Sequence, residues 1–280
     1  MLSINNFWAA RIAARNLGLS NLNLSKSIEK LTTGKRINSA ADDPAGLAIA
    51  KRLTVQINSL TISSDNIQSG VALLSTTEGA LDSMLSILQR MYSLANQAAN
   101  GTLTSSDRLI LQTEVNELIS EIDRISTSTE FNGVKLLTGD YSTGNGSILI
   151  QVGPNNGNYF SFNIDTASSE ALYVNSVSIT SISMANFSMD LIQSGINRLS
   201  TLRSNIGAVI NRLNSASSLN EDIEMNYSFA LSNIEDTDFA AEMVNYVKYQ
   251  MLAQAAASFF AQANLQYSSV FDLMTKFSSS

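Results

Sequence analysis

The 280-residue sequence contains no histidine and no cysteine, only two prolines and a single tryptophan. Without His or Cys, zinc, haem, disulfide and thiol chemistry are largely excluded. A general base working near neutral pH would have to be a carboxylate or a desolvated Lys or Tyr. The sequence therefore does not read as an enzyme, and no cofactor or metal is expected. The formal charge of −7 offers no basic face for phosphates, so no nucleic-acid partner is expected either. No apolar run approaches membrane-spanning length, and Arg11 and Arg15 interrupt the opening MLSINNFWAARIAARN where a Sec-type leader would stay apolar. Membrane insertion is not expected. The chain should stay in the cytoplasm or leave it by a route that reads no such leader.

What is present is a helical pattern at both ends and a turn-rich middle. The 44% hydrophobic content is enough for a real core. A first helix is expected over Ser3–Leu31, with Leu17, Leu24, Ile28 and Leu31 on one face and Gly34 as its stop. Asp42-Asp43-Pro44 reads as a helix start, with Asp43 as N-cap and Pro44 at the first helical position, rather than as an acid pair or a metal site. From Ile57 the positions Leu60, Ser64, Ile67, Val71, Leu74, Glu78, Leu81, Leu85, Leu88, Tyr92 and Ala95 step by three and four, the spacing of a coiled-coil seam. A helix from Pro44 to Asn100 would be roughly 85 Å long, against a diameter of about 50 Å for a compact globule of this chain length, which predicts elongation. Ser105 to Ile125 has the spacing of an antiparallel partner.

Between Phe131 and Ile164 the pattern alternates, with Ser147–Val152 and Tyr159–Ile164 flanking Gly153-Pro-Asn-Asn-Gly157; this predicts a β-hairpin, not a phosphate loop. Asp165 to Phe187 is Ser- and Val-rich and weakly periodic, and predicts a short irregular or β connection. A second seam starts at Ile192 and runs through Leu199, Ile206, Leu213, Asn220 and Tyr227 to Ile234. After a cluster of Glu235, Asp236 and Asp238 that reads as a helix start, a last helix carries Met243, Val247, Met251, Ala255 and Phe259 in register. The expected fold is mainly α: an elongated antiparallel helical bundle or coiled coil built from both chain ends, with a small β-hairpin region in the middle. The ends carry opposite charge. Six basic residues against Glu29 leave Met1 to Ala40 at +5, and Glu221 to Ser280 stands at −6. They also carry more apolar groups than two helices can hide. Phe7, Trp8, Leu17, Leu24, Ile28, Met251, Phe259, Phe260, Phe271 and Phe277 are the candidate subunit interface.

LTTGKRINSAADDPAGLAIAKRL (Leu31–Leu53) and TTEGALDSMLSILQRMYSLANQAANGT (Thr76–Thr102) closely resemble bacterial flagellin. FNGVKLL (Phe131–Leu137) and IQVGPNNG (Ile150–Gly157) resemble the hairpin region of that family. RSNIGAVINRL (Arg203–Leu213), NIEDTDFAAEM (Asn233–Met243) and LAQAAASFFAQAN (Leu252–Asn264) are similar to its C-terminal signature. The resemblance implies an inner coiled-coil domain of residues 1–40 plus 236–280 and a rod domain of 41–235, with the hairpin region at about 131–186 and no large outer domain. It implies a structural subunit that polymerises with itself into the helical flagellar filament used for motility, secreted as an unfolded chain by type III export and located in the extracellular flagellum. The implied partners are an export chaperone, the filament cap and hook-associated proteins. In animal-facing members an innate Toll-like receptor reads a rod patch whose matching positions are Leu88, Gln89, Arg90, Leu94 and Glu114. The stretch LQYSSVFDLMTKFSSS after Asn264 departs from the usual family ending. The rival readings are a hook–filament junction protein and a monomeric secreted adhesin or immune ligand.

Overall fold

A computed structural model describes residues 7–278, with side chains placed for residue 8 and residues 10–265. The chain is mainly helical: α1 (Phe7–Thr33), α2 (Pro44–Ala98), α3 (Ser105–Ser128), α4 (Ile182–Glu235) and α5 (Phe239–Ser278). Between α3 and α4 lie β1 (Glu130–Phe131), β2 (Val134–Lys135), β3 (Ile148–Gln151) and β4 (Tyr159–Phe162). By contacts the chain divides into two compact units, residues 1–55 with 226–280, and residues 56–225. α2 and α4 contribute to both.

In the first unit α1 packs on α5. Gly34 stops α1 in the left-handed conformation (φ 71°), donating its amide to Lys30 O at 2.9 Å. Asp43 caps α2 by accepting the Gly46 amide at 2.9 Å, with Pro44 opening the helix. A Cβ on Gly46 would crowd the Asp43 carboxylate and Ile37 Cδ1, so a larger residue there would have to displace the cap or the buried Ile37. Asp42 organises the loop before it, accepting the amides of Asn38 (3.2 Å) and Ser39 (3.0 Å).

The second unit holds the core. Along α2, Leu60, Ile67, Leu74, Leu81, Leu88 and Ala95 form one fully buried column at heptad spacing, as the sequence predicts. The second buried column differs from the expected one. It is Ser63, Gly70, Thr77, Met84, Met91 and Ala98, while Ser64, Val71, Glu78, Leu85 and Tyr92 are only half-buried. Ser63 and Thr77 can be buried because each hydroxyl donates to the carbonyl one turn back, Ser59 O at 2.7 Å and Leu73 O at 2.9 Å. α4 lies antiparallel to α2. A Cβ on Gly70 would meet Ile150 and Leu213, Arg203 pairs with Glu78 and with Asp82 (2.8 Å), and Leu88 lies near Gly195. α3 starts on a capping box between Thr104 and Asp107. Its Arg108, buried, donates to Ala98 O (2.8 Å) and Asn100 O (2.9 Å), satisfying carbonyls that the end of α2 leaves open.

The β3–β4 hairpin has the expected antiparallel register, Ile148↔Phe162 to Gln151↔Tyr159. It seats on α4 through Asn220 Nδ2 to Val152 O (2.9 Å) and through Arg212 over the Phe160 ring at 4.1 Å. A second hairpin, β1–β2, turns on Asn132 (φ 51°) and Gly133 (φ 78°), the mirror-image two-residue turn. α4 begins at Ile182, ten residues ahead of the expected seam, and residues 165–181 are not a loose connection. Ala167, Leu172, Val174, Val177 and Ile179 are buried in the core. Three clamps hold the segment: Asp123 on the amide and hydroxyl of Ser169 (2.9 and 2.8 Å), Gln112 on Ile179 N (2.6 Å) and Val177 O (3.3 Å), and Ser188 on Ser178 (2.8 Å). Among the described helices α2 alone is long and apolar enough to cross a membrane, contrary to the expectation that no run approaches that length. Of the stretch that qualifies, 28% is buried in this fold, and its buried columns belong to the core.

Candidate assembly surface

The less exposed positions of α5 include Glu242, Tyr246, Tyr249, Ala253, Ala256, Phe260 and Ala263, alternating by four and three, with Asn245 beside them. Those of α1 include Ala10, Ala13, Leu17, Ser20, Leu24, Ser27 and Leu31, in a like alternation, with Asn23 and Lys30 beside them. These are the facing seams of the pair, and Ser27 Oγ donates across them to the Glu242 carboxylate. Ala and Ser fill about half of the two seams, seven of the fourteen positions, and among the described residues of the pair's seams only Ser27 is buried, so the pair removes little apolar area from water.

The larger apolar groups of α5 point elsewhere. Met243, Val244, Val247, Met251 (62% exposed), Leu252 and Phe259 (69%) all face solvent. The ladder Met243, Val247, Met251, Ala255, Phe259 advances in fours and drifts about 40° around the helix per step, so it cannot follow a straight seam. On α1, Trp8 (76%), Leu19, Leu22 and Ile28 are exposed as well. A shallow groove between the helices is lined by Asn16, Leu19, Ser20, Leu252, Ala255 and Phe259. Exposed apolar surface of this extent on one helix pair marks an interaction face.

Of the ten candidate interface residues, the structure exposes Trp8, Ile28, Met251 and Phe259 and half-buries Leu17, Leu24 and Phe260 between α1 and α5. The side chains of Phe7, Phe271 and Phe277 lie outside the described residues. Sequence reasoning missed Leu19, Leu22, Val244 and Leu252, whose exposure follows from their place off the seams. Among the described residues the two oppositely charged ends share one ion pair, Lys35 Nζ to Glu235 Oε1 at 2.7 Å, in a wider junction of main-chain bonds. There Arg36 N donates to Glu235 O (2.6 Å) and Thr237 N to Gly34 O (2.9 Å). Asp238 opens α5 by accepting the amides of Ala240 and Ala241 at 2.9 and 3.1 Å.

The five positions of the receptor-type patch separate. Gln89 and Arg90 are exposed on α2, and Arg90 pairs with Glu114 of α3 at 2.7 Å. Leu88 and Leu94 are fully buried core residues and cannot touch a partner of the folded chain, which corrects their inclusion.

The model of the bacterial flagellin N-terminal helical region matches residues 4–142, and that of the C-terminal helical region matches residues 189–274. The chain belongs to the bacterial flagellin family. A flagellar filament 30.7 kDa core protein of Treponema maltophilum is 35% identical over 283 residues, covering 97% of this chain and 99% of that protein. A flagellin of Halalkalibacterium halodurans is 37% identical over 273 residues, covering 97% and 99%. The solved structure of a putative flagellar hook-associated protein from Vibrio parahaemolyticus, at 18% identity and a TM-score of 0.58 over 70% of this chain, shares the fold alone. This flagellin is a structural subunit of the bacterial flagellar filament, the polymer used for motility. It self-associates as its family does, and the junction-protein and adhesin readings are not favoured.

Proposed function

We propose that this flagellin enters the filament by burying the outward faces of α1 and α5 against neighbouring copies. The inner domain is residues 1–40 with 236–280, the rod is 41–235, and no large outer domain is present. The observation that carries this reading is the exposure of Met251, Phe259 and Trp8 on a helix pair whose own seam leaves even Leu17, Leu24 and Phe260 only half-buried. An isolated pair of this kind leaves its apolar area in water, and a polymer supplies the missing cover. The chain reaches the growing tip by flagellar export, with an export chaperone, the filament cap and hook-associated proteins as partners. It is secreted, performs no catalysis, binds no nucleic acid and does not insert into membrane.

Seeded elongation tests the reading. Met251→Glu and Phe259→Asp should abolish growth on filament fragments while leaving the circular dichroism of the chain unchanged. Growth at the parental rate would sink it. The exposed pair Arg90–Glu114 with Gln89 supports a second role, as the surface an animal Toll-like receptor reads. Arg90→Ala should then lower receptor signalling by dissociated chain without affecting filament growth, and equal signalling would remove that role.

A further inference from the structure

We infer that Met243 and Met251 form a redox-modification site: peroxide oxidation of their thioethers in the unassembled chain closes the α5 face to a second copy of this chain. The inference rests on the proposed assembly face and adds a chemistry to it.

With no cysteine in the chain, methionine is its only sulfur, and there are nine. Their settings differ sharply. Met84 and Met91 are fully buried in the second unit, out of reach of any oxidant unless that unit opens. Met243 is 48% exposed and Met251 62%, two turns apart on α5 with Val247 between them. Thioether susceptibility follows exposure, so these sulfurs react while the core sulfurs do not. The reaction is balanced by a peroxide alone. A sulfur lone pair attacks the distal peroxide oxygen, the S–O bond forms as the O–O bond breaks, and the departing oxygen takes up the peroxide proton. For hydrogen peroxide the products are the sulfoxide and water; sulfur loses two electrons and the peroxide gains them.

The sulfoxide matters because of where it would be buried. A methionine sulfoxide is polar and a strong acceptor, and burying it without a donor carries a desolvation penalty. Val247 and Ala255, four positions on from the two methionines, have no side-chain donor; of the donors three positions away, Tyr246 sits in the α1–α5 seam and the Lys248 amine lies over the Tyr249 ring, which leaves Gln254. Two such groups on one face weaken docking, whereas in the assembled filament the same sulfurs are covered and protected. The device therefore acts before incorporation.

The test compares the full chain with a Met243→Leu/Met251→Leu variant, since Leu keeps the apolar volume and cannot be oxidised. Both are treated with hydrogen peroxide, mapped by peptide mass spectrometry and added to untreated filament seeds. Oxidised parental chain should elongate seeds roughly tenfold more slowly or worse. The double variant should keep most of its untreated rate, and a methionine sulfoxide reductase should restore the parental chain. Parental elongation unchanged with sulfoxide confirmed at both residues would overturn the inference. So would an equal loss in the double variant, which would place the sensitive sulfur elsewhere, at exposed Met184 or Met225. Untreated Met251→Glu separates the two claims: if it elongates normally, the assembly face itself is wrong, and if it fails while oxidised chain grows, only the redox site is.

Discussion

Among the described residues, the fully buried hydrophobics of the α1–α5 unit are Ile37 and Ala50, while every other one, from Leu60 to Leu213, belongs to the α2–α3–α4 unit. Both units are built on long helices with three-four spacing, so periodicity does not separate them. What separates them is how far the large apolar groups are covered. Leu60, Ile67, Leu74, Leu81, Met84, Leu88 and Met91 of α2 are fully buried, whereas Leu17, Leu24 and Phe260 of the α1–α5 pair are only half-buried and Met251, Leu252 and Phe259 point outward. One unit is stabilised by its own core, and the other keeps its hydrophobic surface for neighbours.

That difference sets the size of mutational effects. Leu81→Ala, in the α2 column, should lower the unfolding free energy by about 3 kcal/mol. Met251→Ala, with as large a truncation, should change it by no more than about 0.5 kcal/mol, as an exposed site does. Denaturant titration of the dissociated chain reads both, and a large effect at Met251 would erase the contrast. Next in size is Arg108→Met. It removes a buried guanidinium from the carbonyls of Ala98 and Asn100 and should cost about 2 kcal/mol.

The smallest effect is local to the loop before α2. The amides of Ser39 and then Asn38 hold the Asp42 carboxyl below its ordinary value of 3.8. A depressed folded pKa gives a stabilisation that is complete above the unfolded value and fades as pH falls through the folded one. The amide resonances of Asn38 and Ser39 should therefore shift with a midpoint below 3.8 on acidification, and Asp42→Asn should abolish the shift. A midpoint at or above 3.8 would contradict the assignment.

Much of the fold was legible. Asp43-Pro44, Gly34 and the Leu60–Ala95 column announce themselves because a cap, a left-handed stop and a heptad each have a local residue signature. Ser63, Gly70 and Thr77 did not, since a column of small or self-bonded polar residues reads as solvent-facing. Residues 165–181 were illegible for a different reason: their burial depends on clamps from Asp123 and Gln112, 46 and 67 positions away for the Ser169 and Ile179 bonds. The assembly surface was legible as a set of residues but not as a direction. Met243 to Phe259 looks like a core ladder, and only the packing of α1 on the Tyr246–Phe260 side of α5 shows that it faces outward.

Hydrogen exchange followed by mass spectrometry, on dissociated chain and on filaments, tests the central claim most directly. The account predicts that amides of α2, α3 and α4 within residues 56–225 are protected in both states. Amides of α1 and α5 should exchange fast in the free chain and slow sharply on assembly. Protection of α1 and α5 in the free chain equal to that of the core unit, with no gain in the filament, would contradict it.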